Sequence, residues 1–187
     1  MRKFEKVSFA QFEKDFIDAF PSQLDDDLTP EQYYDLIKLP QRATPKSVGH
    51  DFFTYFSFQL RPSEDIKFPT GIKVRLDNDV MLPVLVNGES VNIPCNEFLG
   101  FYPRSGSGFK YLRIANTVGV IDGDYYNNVN NEGEIFVKLR NESTDKLFTF
   151  KAGDAFGQGI IQLAMLTSND LGSYKELRVG GLGSTSN

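Results

Sequence analysis

The chain has 187 residues, with 20 Lys and Arg against 25 Asp and Glu and a formal net charge of −5. That balance excludes a global basic field for holding nucleic acid. The length suits one domain, and 40% apolar with 13% aromatic residues is enough to fill one core. One cysteine, Cys95, and one histidine exclude an internal disulfide and argue against a Cys–His nucleophile.

In chain order, MRKFEKVSF lacks the apolar centre of a signal peptide, and no later run approaches the ~18 apolar residues of a membrane span. A soluble, cytoplasmic protein is expected. Residues 1–40 read as helical. Phe9, Phe12, Phe16, Ile17 and Phe20 recur at helical spacing, Ser8 and Gln11 have capping-box spacing, and Pro21 ends the pattern. A second helix opens at Thr29-Pro30-Glu31-Gln32 and closes before Leu39-Pro40.

From Asp51 onward the pattern changes to short runs of β-branched and aromatic residues, punctuated by Gly, Pro, Asn and Asp. Asn87-Gly88 predicts a two-residue hairpin turn. Many short strands without alternating helices predict an all-β fold, an antiparallel sandwich or barrel. The division expected is a helical extension over 1–40, a β domain over 41–177 and a flexible C-terminal arm over 178–187.

Five stretches carry side chains suited to chemistry. SVGHDF holds Asp51. PRSGSGFK sets Arg104, Ser105 and Gly106 in a glycine-rich turn, and NTVGVIDGDYYN ends an apolar run on Asp122-Gly123-Asp124. GDAFGQG holds Gln158 between glycines, and Arg178 precedes GGLGST. A guanidinium offers a planar fork to phosphate oxygens, hydroxyls beside glycines let backbone N–H groups approach an anion, and carboxylates orient water or Mg2+ hydration. There is no P-loop, no dinucleotide fingerprint and no zinc spacing. The residues alone point to a β-rich domain handling a phosphorylated small molecule.

In this order, from about Leu39 to the C-terminus, the five stretches resemble the motifs of the all-β dUTPase family, the trimeric dUTP pyrophosphatases. The resemblance implies a dUTPase-like antiparallel barrel of jelly-roll type. It also implies hydrolysis of dUTP to dUMP and pyrophosphate, which keeps uracil out of DNA and supplies dUMP. The Asp122 position activates the water that attacks the α-phosphorus. Tyr125 matches the aromatic that packs on the deoxyribose, and Asn116 and Val120 lie on the segment that reads uracil. Arg104, Ser105, Gly106 and Gln158 match phosphate contacts, and Asp51 supports the phosphates and the Mg2+ shell. No protein side chain binds Mg2+ directly, because the triphosphate and waters hold it. Arg178, Leu182, Gly183, Ser184 and Thr185 would close over the nucleotide, with each site of a homotrimer shared between chains.

The chain also departs from the family. Leu182 stands where a stacking phenylalanine is usual, the arginine-to-glycine spacing of the tail is one residue shorter, and the region from about 80 to 96 reads as an inserted hairpin. Two other readings compete. A dCTP deaminase would need a glutamate where this chain has Lys138, with Glu134 too early in the strand. A regulatory dUTPase-fold protein would use the extra helices and the insertion to bind a protein partner.

Overall fold

The computed structural model describes residues 1–20, 28–167 and 169. The chain opens on strand β1 (Lys3–Lys6), then helices α1 (Phe9–Ala19) and α2 (Pro30–Leu36). Next come β2 (Gln41–Arg42), β3 (His50–Phe53), β4 (Phe58–Leu60), β5 (Asp65–Pro69) and β6 (Ile72–Arg75). A hairpin follows, β7 (Val80–Val86) and β8 (Glu89–Pro103), then the four-residue turn of helix α3 (Ser105–Gly108). Strands β9 (Leu112–Ile114), β10 (Gly119–Asp122), β11 (Phe136–Asn141), β12 (Phe148–Phe150) and β13 (Ala155–Met165) complete the described elements.

The main sheet runs β10-β8-β13-β3-β2, with β7 added to the early part of β8. Smaller sheets pair β5-β11-β9, β1-β6 and β12-β4, and the ladders are antiparallel. This is the all-β, jelly-roll-like architecture that the strand pattern predicts. Asn87 and Gly88 have φ of 52° and 85°, both positive as a type I′ hairpin turn needs.

The N-terminal forty residues are not wholly helical. Lys3–Lys6 is a strand, registered with Phe4 opposite Val74 on β6. Helix α1 sends Phe12 and Phe16 into the same core as Tyr55, Phe56, Phe68 and Phe156, with the Phe12 and Tyr55 rings 5.3 Å apart, edge to face. Ile17 is 55% exposed. It lies about 100° around the helix from Phe16, off the stripe formed by Phe12, Phe16 and Phe20.

The helix caps also differ from one another. At α2, Thr29 and Gln32 form the reciprocal box, with the Thr29 N–H donating to Gln32 Oε1 at 2.8 Å. At α1 the Ser8 hydroxyl accepts from the Gln11 N–H at 3.2 Å, but the Ser8 N–H donates to Glu132 at 2.9 Å. The Gln11 side chain turns instead to Asp15, at 2.7 Å. A long-range carboxylate has taken the place of the local partner. Among the described residues no helix is long and apolar enough to cross a membrane.

Candidate active site

Three strands build the cleft around Asp51, Arg104 and Gln158. Gln158 on β13 stands directly opposite Asp51 on β3 and Tyr102 on β8, so neighbouring strands bring the Asp51 and Gln158 side chains together on one sheet face. Pro103 ends β8, and Arg104 begins the turn of α3. The Arg104 Nε donates to Asp51 Oδ1 at 3.1 Å, and the Gln158 amide donates to the Pro103 carbonyl at 3.1 Å. Asp51 is the more buried partner, at 15% side-chain exposure against 43% for Arg104. The buried carboxylate therefore orients a guanidinium that remains open to solvent.

Glycine gives this cleft its shape. A Cβ at Gly49 would lie 2.4 Å from Gln158 Oε1, whereas one at Gly106 would meet nothing within 4 Å. The first leaves space for the glutamine, and the second faces the opening. The cleft is about 640 Å3 and is lined by Asp51, Arg104, Ser105, Gly106 and Gln158. Lys110, Ser107 and Thr149 also line it. The first two lie inside PRSGSGFK, where the approach of a second cation could have been read from the motif. Thr149 comes from β12 and had no signal in the sequence.

The base side is built differently. β9 pairs with β11 and β10 pairs with β8, so the two strands on either side of the 115–118 turn belong to different sheets. Thr117 turns the chain at φ 66°, an uncommon conformation for a non-glycine residue, with its N–H bonded to the Ile114 carbonyl at 2.9 Å. The separation of the strands opens a largely apolar cavity of about 320 Å3, where Asn116, Gly119, Ile121 and Phe101 line the wall. Strand backbones bordering such a gap suit a planar base, which needs edge hydrogen bonds and flat apolar contact.

Asp122 ends β10, opposite Phe98 of β8, and a single 3-10 turn, Gly123–Tyr125, follows it. Val120 and Asp122 share a separate cavity of about 590 Å3 with Asp124, Asn78, Asp79 and Asn96. Tyr125 is 9% exposed. Its hydroxyl donates to the Glu134 carbonyl at 2.8 Å and accepts from the Asn131 amide at 2.7 Å. The link after it is folded by Asn128, whose amide donates to the Tyr125 carbonyl at 2.9 Å. Arg178, Leu182, Gly183, Ser184 and Thr185 lie outside the described residues.

The two halves are far apart within one chain. Phe98 opposes both Asp122 on β10 and Gln162 on β13, while Gln158 opposes Asp51 on β3. Three strand spacings and a four-residue offset separate Asp122 from Asp51 by about 20 Å along the sheet. A single triphosphate does not bridge that span.

No family model matches the chain. It is 34% identical over 150 residues to the deoxyuridine 5'-triphosphate nucleotidohydrolase of Lactococcus lactis, covering 80% of this chain and 88% of that protein. Against the protein of the same name from Desulfitobacterium hafniense, identity is 36% over 124 residues, 65% of this chain and 67% of that one. The crystal structure of dUTPase from Streptococcus mutans superposes with a TM-score of 0.54 at 31% identity, covering 78% of this chain and 97% of that one. A Staphylococcus bacteriophage 80alpha dUTPase shares the fold, with a TM-score of 0.53 at 14% identity over 100% of this chain and 99% of that one. By sequence and fold together, the chain belongs to the dUTPase family.

Proposed function

We propose that this chain hydrolyses dUTP to dUMP and pyrophosphate, with Asp122 as the base that activates the attacking water. The observation that carries the reading is the convergence of Asp51, Arg104, Ser105 and Gln158, distant in sequence, into one cleft, in a chain that also ends strand β10 on Asp122 and opens a base-sized cavity beside Asn116. Uracil sits between the separated strands β9 and β10, against Asn116. Val120 lies on β10, on the face that it shares with Asp122, and the Tyr125 ring supports the sugar. Arg104, Ser105, Gly106 and Gln158 grip the phosphates. Arg178, Leu182, Gly183, Ser184 and Thr185 close over them.

The ~20 Å between Asp122 and Asp51 supports a site shared between copies of the chain in a homotrimer, one supplying the base cavity and Asp122, another the phosphate cleft. Among the described residues no three metal-ligating side chains gather to cage an ion. Asp51, at the floor of the phosphate cleft, fits a Mg2+ that arrives on the triphosphate and meets the protein through water. Bound there, the cation would neutralise charge developing on the phosphate oxygens.

The test is pyrophosphate release with Mg2+ from dUTP, dTTP, dCTP and UTP, run in parallel. Release from dUTP alone is expected. Ammonia formed from dCTP would instead indicate the deaminase. Against that outcome stands the Glu134 carboxylate, which accepts the Gly71 N–H at 2.8 Å and is fully buried. A protein-binding role draws on the exposed Met81, Leu85, Val86 and Val91 of the β7–β8 hairpin. Binding of dUTP without any release would favour that role.

Arg104→Ala is expected to lower kcat/KM for dUTP roughly 100-fold, since charge-assisted bonds to a phosphate are worth about 1.5–3 kcal/mol. Tm should hardly move, because an ion pair this exposed contributes less than about 1 kcal/mol. Steady-state kinetics and a thermal melt check both.

A further inference from the structure

We propose that Asn78, at the base of the inserted hairpin, is a positioning residue for Asp122; the inference rests on the reading of Asp122 as the base. The observation is at Gly123, the residue after Asp122. A Cβ built there would lie 2.0 Å from Asn78 Oδ1, 2.8 Å from its Cγ and 3.0 Å from its Nδ2. All three nearest atoms belong to one side chain, so the Asn78 amide lies directly against the Gly123 backbone.

Gly123 is not one of the glycines held at positive φ, which among the described residues are Gly71, Gly88, Gly133 and Gly153. Its backbone therefore does not demand glycine. The space beside its Cα is instead occupied by the Asn78 amide.

Asn78 is exposed, but both of its neighbours are fixed. The Asp77 N–H donates to the Glu97 carboxylate at 2.9 Å, and the Glu97 N–H returns to the Asp77 carbonyl at 3.3 Å. Glu97 is itself buried and ion-paired with Arg2. On the other side, the Asp79 N–H donates to Asn96 Oδ1 at 3.1 Å, with Asp79 at φ 56°. The two strands leading into and out of the hairpin are thus tied together on either side of Asn78. No hydrogen bond from its amide is present among the described residues, so its effect on the turn is one of contact.

What is held is the single 3-10 turn Gly123–Tyr125, for which Asp122 is the N-cap residue without a side-chain cap bond. A turn of three residues has little rigidity of its own, since forming it fixes many dihedrals for few bonds. Packing of the Asn78 amide on Gly123 limits the motion of the Asp122 backbone from the C-terminal side, while the β8 ladder limits it from the other. A general base must stay within hydrogen-bond reach of its water, and a misplacement of about 1 Å costs up to 10²-fold in rate. The insertion thereby becomes part of the wall that aims the carboxylate, as the shared cavity of Asn78, Asp79, Asn96 and Asp122 indicates.

The experiment uses the full chain with dUTP and Mg2+ and compares Asn78→Ala, Asn78→Ser, Gly123→Ala, the Asn78→Ala/Gly123→Ala pair and Asp122→Asn. Expected for Asn78→Ala is a fall in kcat of about tenfold with KM within twofold of the parent, and a near-parental Tm. Asn78→Ser, still polar but shorter, should fall between the two. Gly123→Ala should lose more than Asn78→Ala. Adding Asn78→Ala to it should bring turnover back up to about the Asn78→Ala level, because the second change removes all three atoms that crowd the new Cβ. A parental kcat in both Asn78 variants overturns the inference, as does a loss confined to KM or a pair no better than Gly123→Ala. Should Asn78→Ala lower Tm sharply, Asn78→Ser and the Gly123 pair decide the matter by the same criteria. Full turnover by Asp122→Asn would instead overturn the assignment of the base. An inactive Asp122→Asn beside a fully active Asn78→Ala would leave that assignment standing and remove only the positioning role.

Discussion

Asp122→Asn is expected to lower kcat for dUTP by about 10³-fold while leaving nucleotide binding within a few-fold of the parent. The change is isosteric, so the end of β10, its ladder to Phe98 and the following turn keep their geometry. What is lost is a carboxylate able to take a proton from water, and removal of a general base costs about 10²–10⁴-fold. Binding survives because the base cavity at Asn116 and the phosphate cleft at Arg104 lie elsewhere. Single-turnover release of pyrophosphate gives the rate, and titration with a non-hydrolysable dUTP analogue gives the affinity. Loss of rate with retained affinity is the expected pair. A parental rate would remove Asp122 from the chemistry.

The parts of this site that were legible in the sequence are those whose signal is local. Asp51, Arg104 and Gln158 each stand in a short segment whose glycines and flanking strand residues give their context within about six positions. The Asn87-Gly88 turn is legible for the same reason, since positive φ at two successive residues is a property of those residues.

What the sequence hid depends on distant partners. Lys3–Lys6 is a strand because β6 offers an edge, and nothing within the first ten residues encodes that edge. The Ser8 cap draws on Glu132, more than a hundred residues away. The strands on either side of the 115–118 turn join different sheets because β11 and β8 each take one of them. That separation creates the cavity beside Asn116, so the base subsite is a product of topology more than of motif. Asn78 sits just before the β7–β8 hairpin, in a segment that matches no motif, and only the missing space at Gly123 reveals its contact.

Glu134→Gln is expected to raise stability at neutral pH by about 3 kcal/mol. Glu134 is fully buried on the segment leading to β11. One oxygen accepts the Gly71 N–H at 2.8 Å, and among the described residues no hydrogen-bond donor meets the other. Burial first, and then the neighbouring Asp15 carboxyl of α1, push its pKa from 4.5 to about 9, with Glu132 adding repulsion and the Gly71 bond opposing the rise. Burial holds the Tyr55 and Tyr34 hydroxyls above the usual tyrosine range, and the charge of Glu134 adds to both shifts.

A carboxyl raised in this way takes up a proton on folding that the unfolded chain releases above about pH 4.5. Its contribution to stability is therefore greatest below pH 4.5 and declines up to about pH 9, at about 1.4 kcal/mol per pH unit. By pH 7 the cost is about 3 kcal/mol, which for a chain of this length corresponds to roughly 10 °C in Tm. Glutamine keeps the acceptor for Gly71, supplies a donor toward Asp15 and does not titrate. The variant should match the parent near pH 4.5 and diverge upward as pH rises, and Asp15→Asn should give a smaller gain of the same sign. Thermal melts from pH 4.5 to 9 read both curves. If Glu134→Gln melts below the parent across that range, Glu134 is ionised and satisfied in the folded chain, and α1 is held to the β core by a charge.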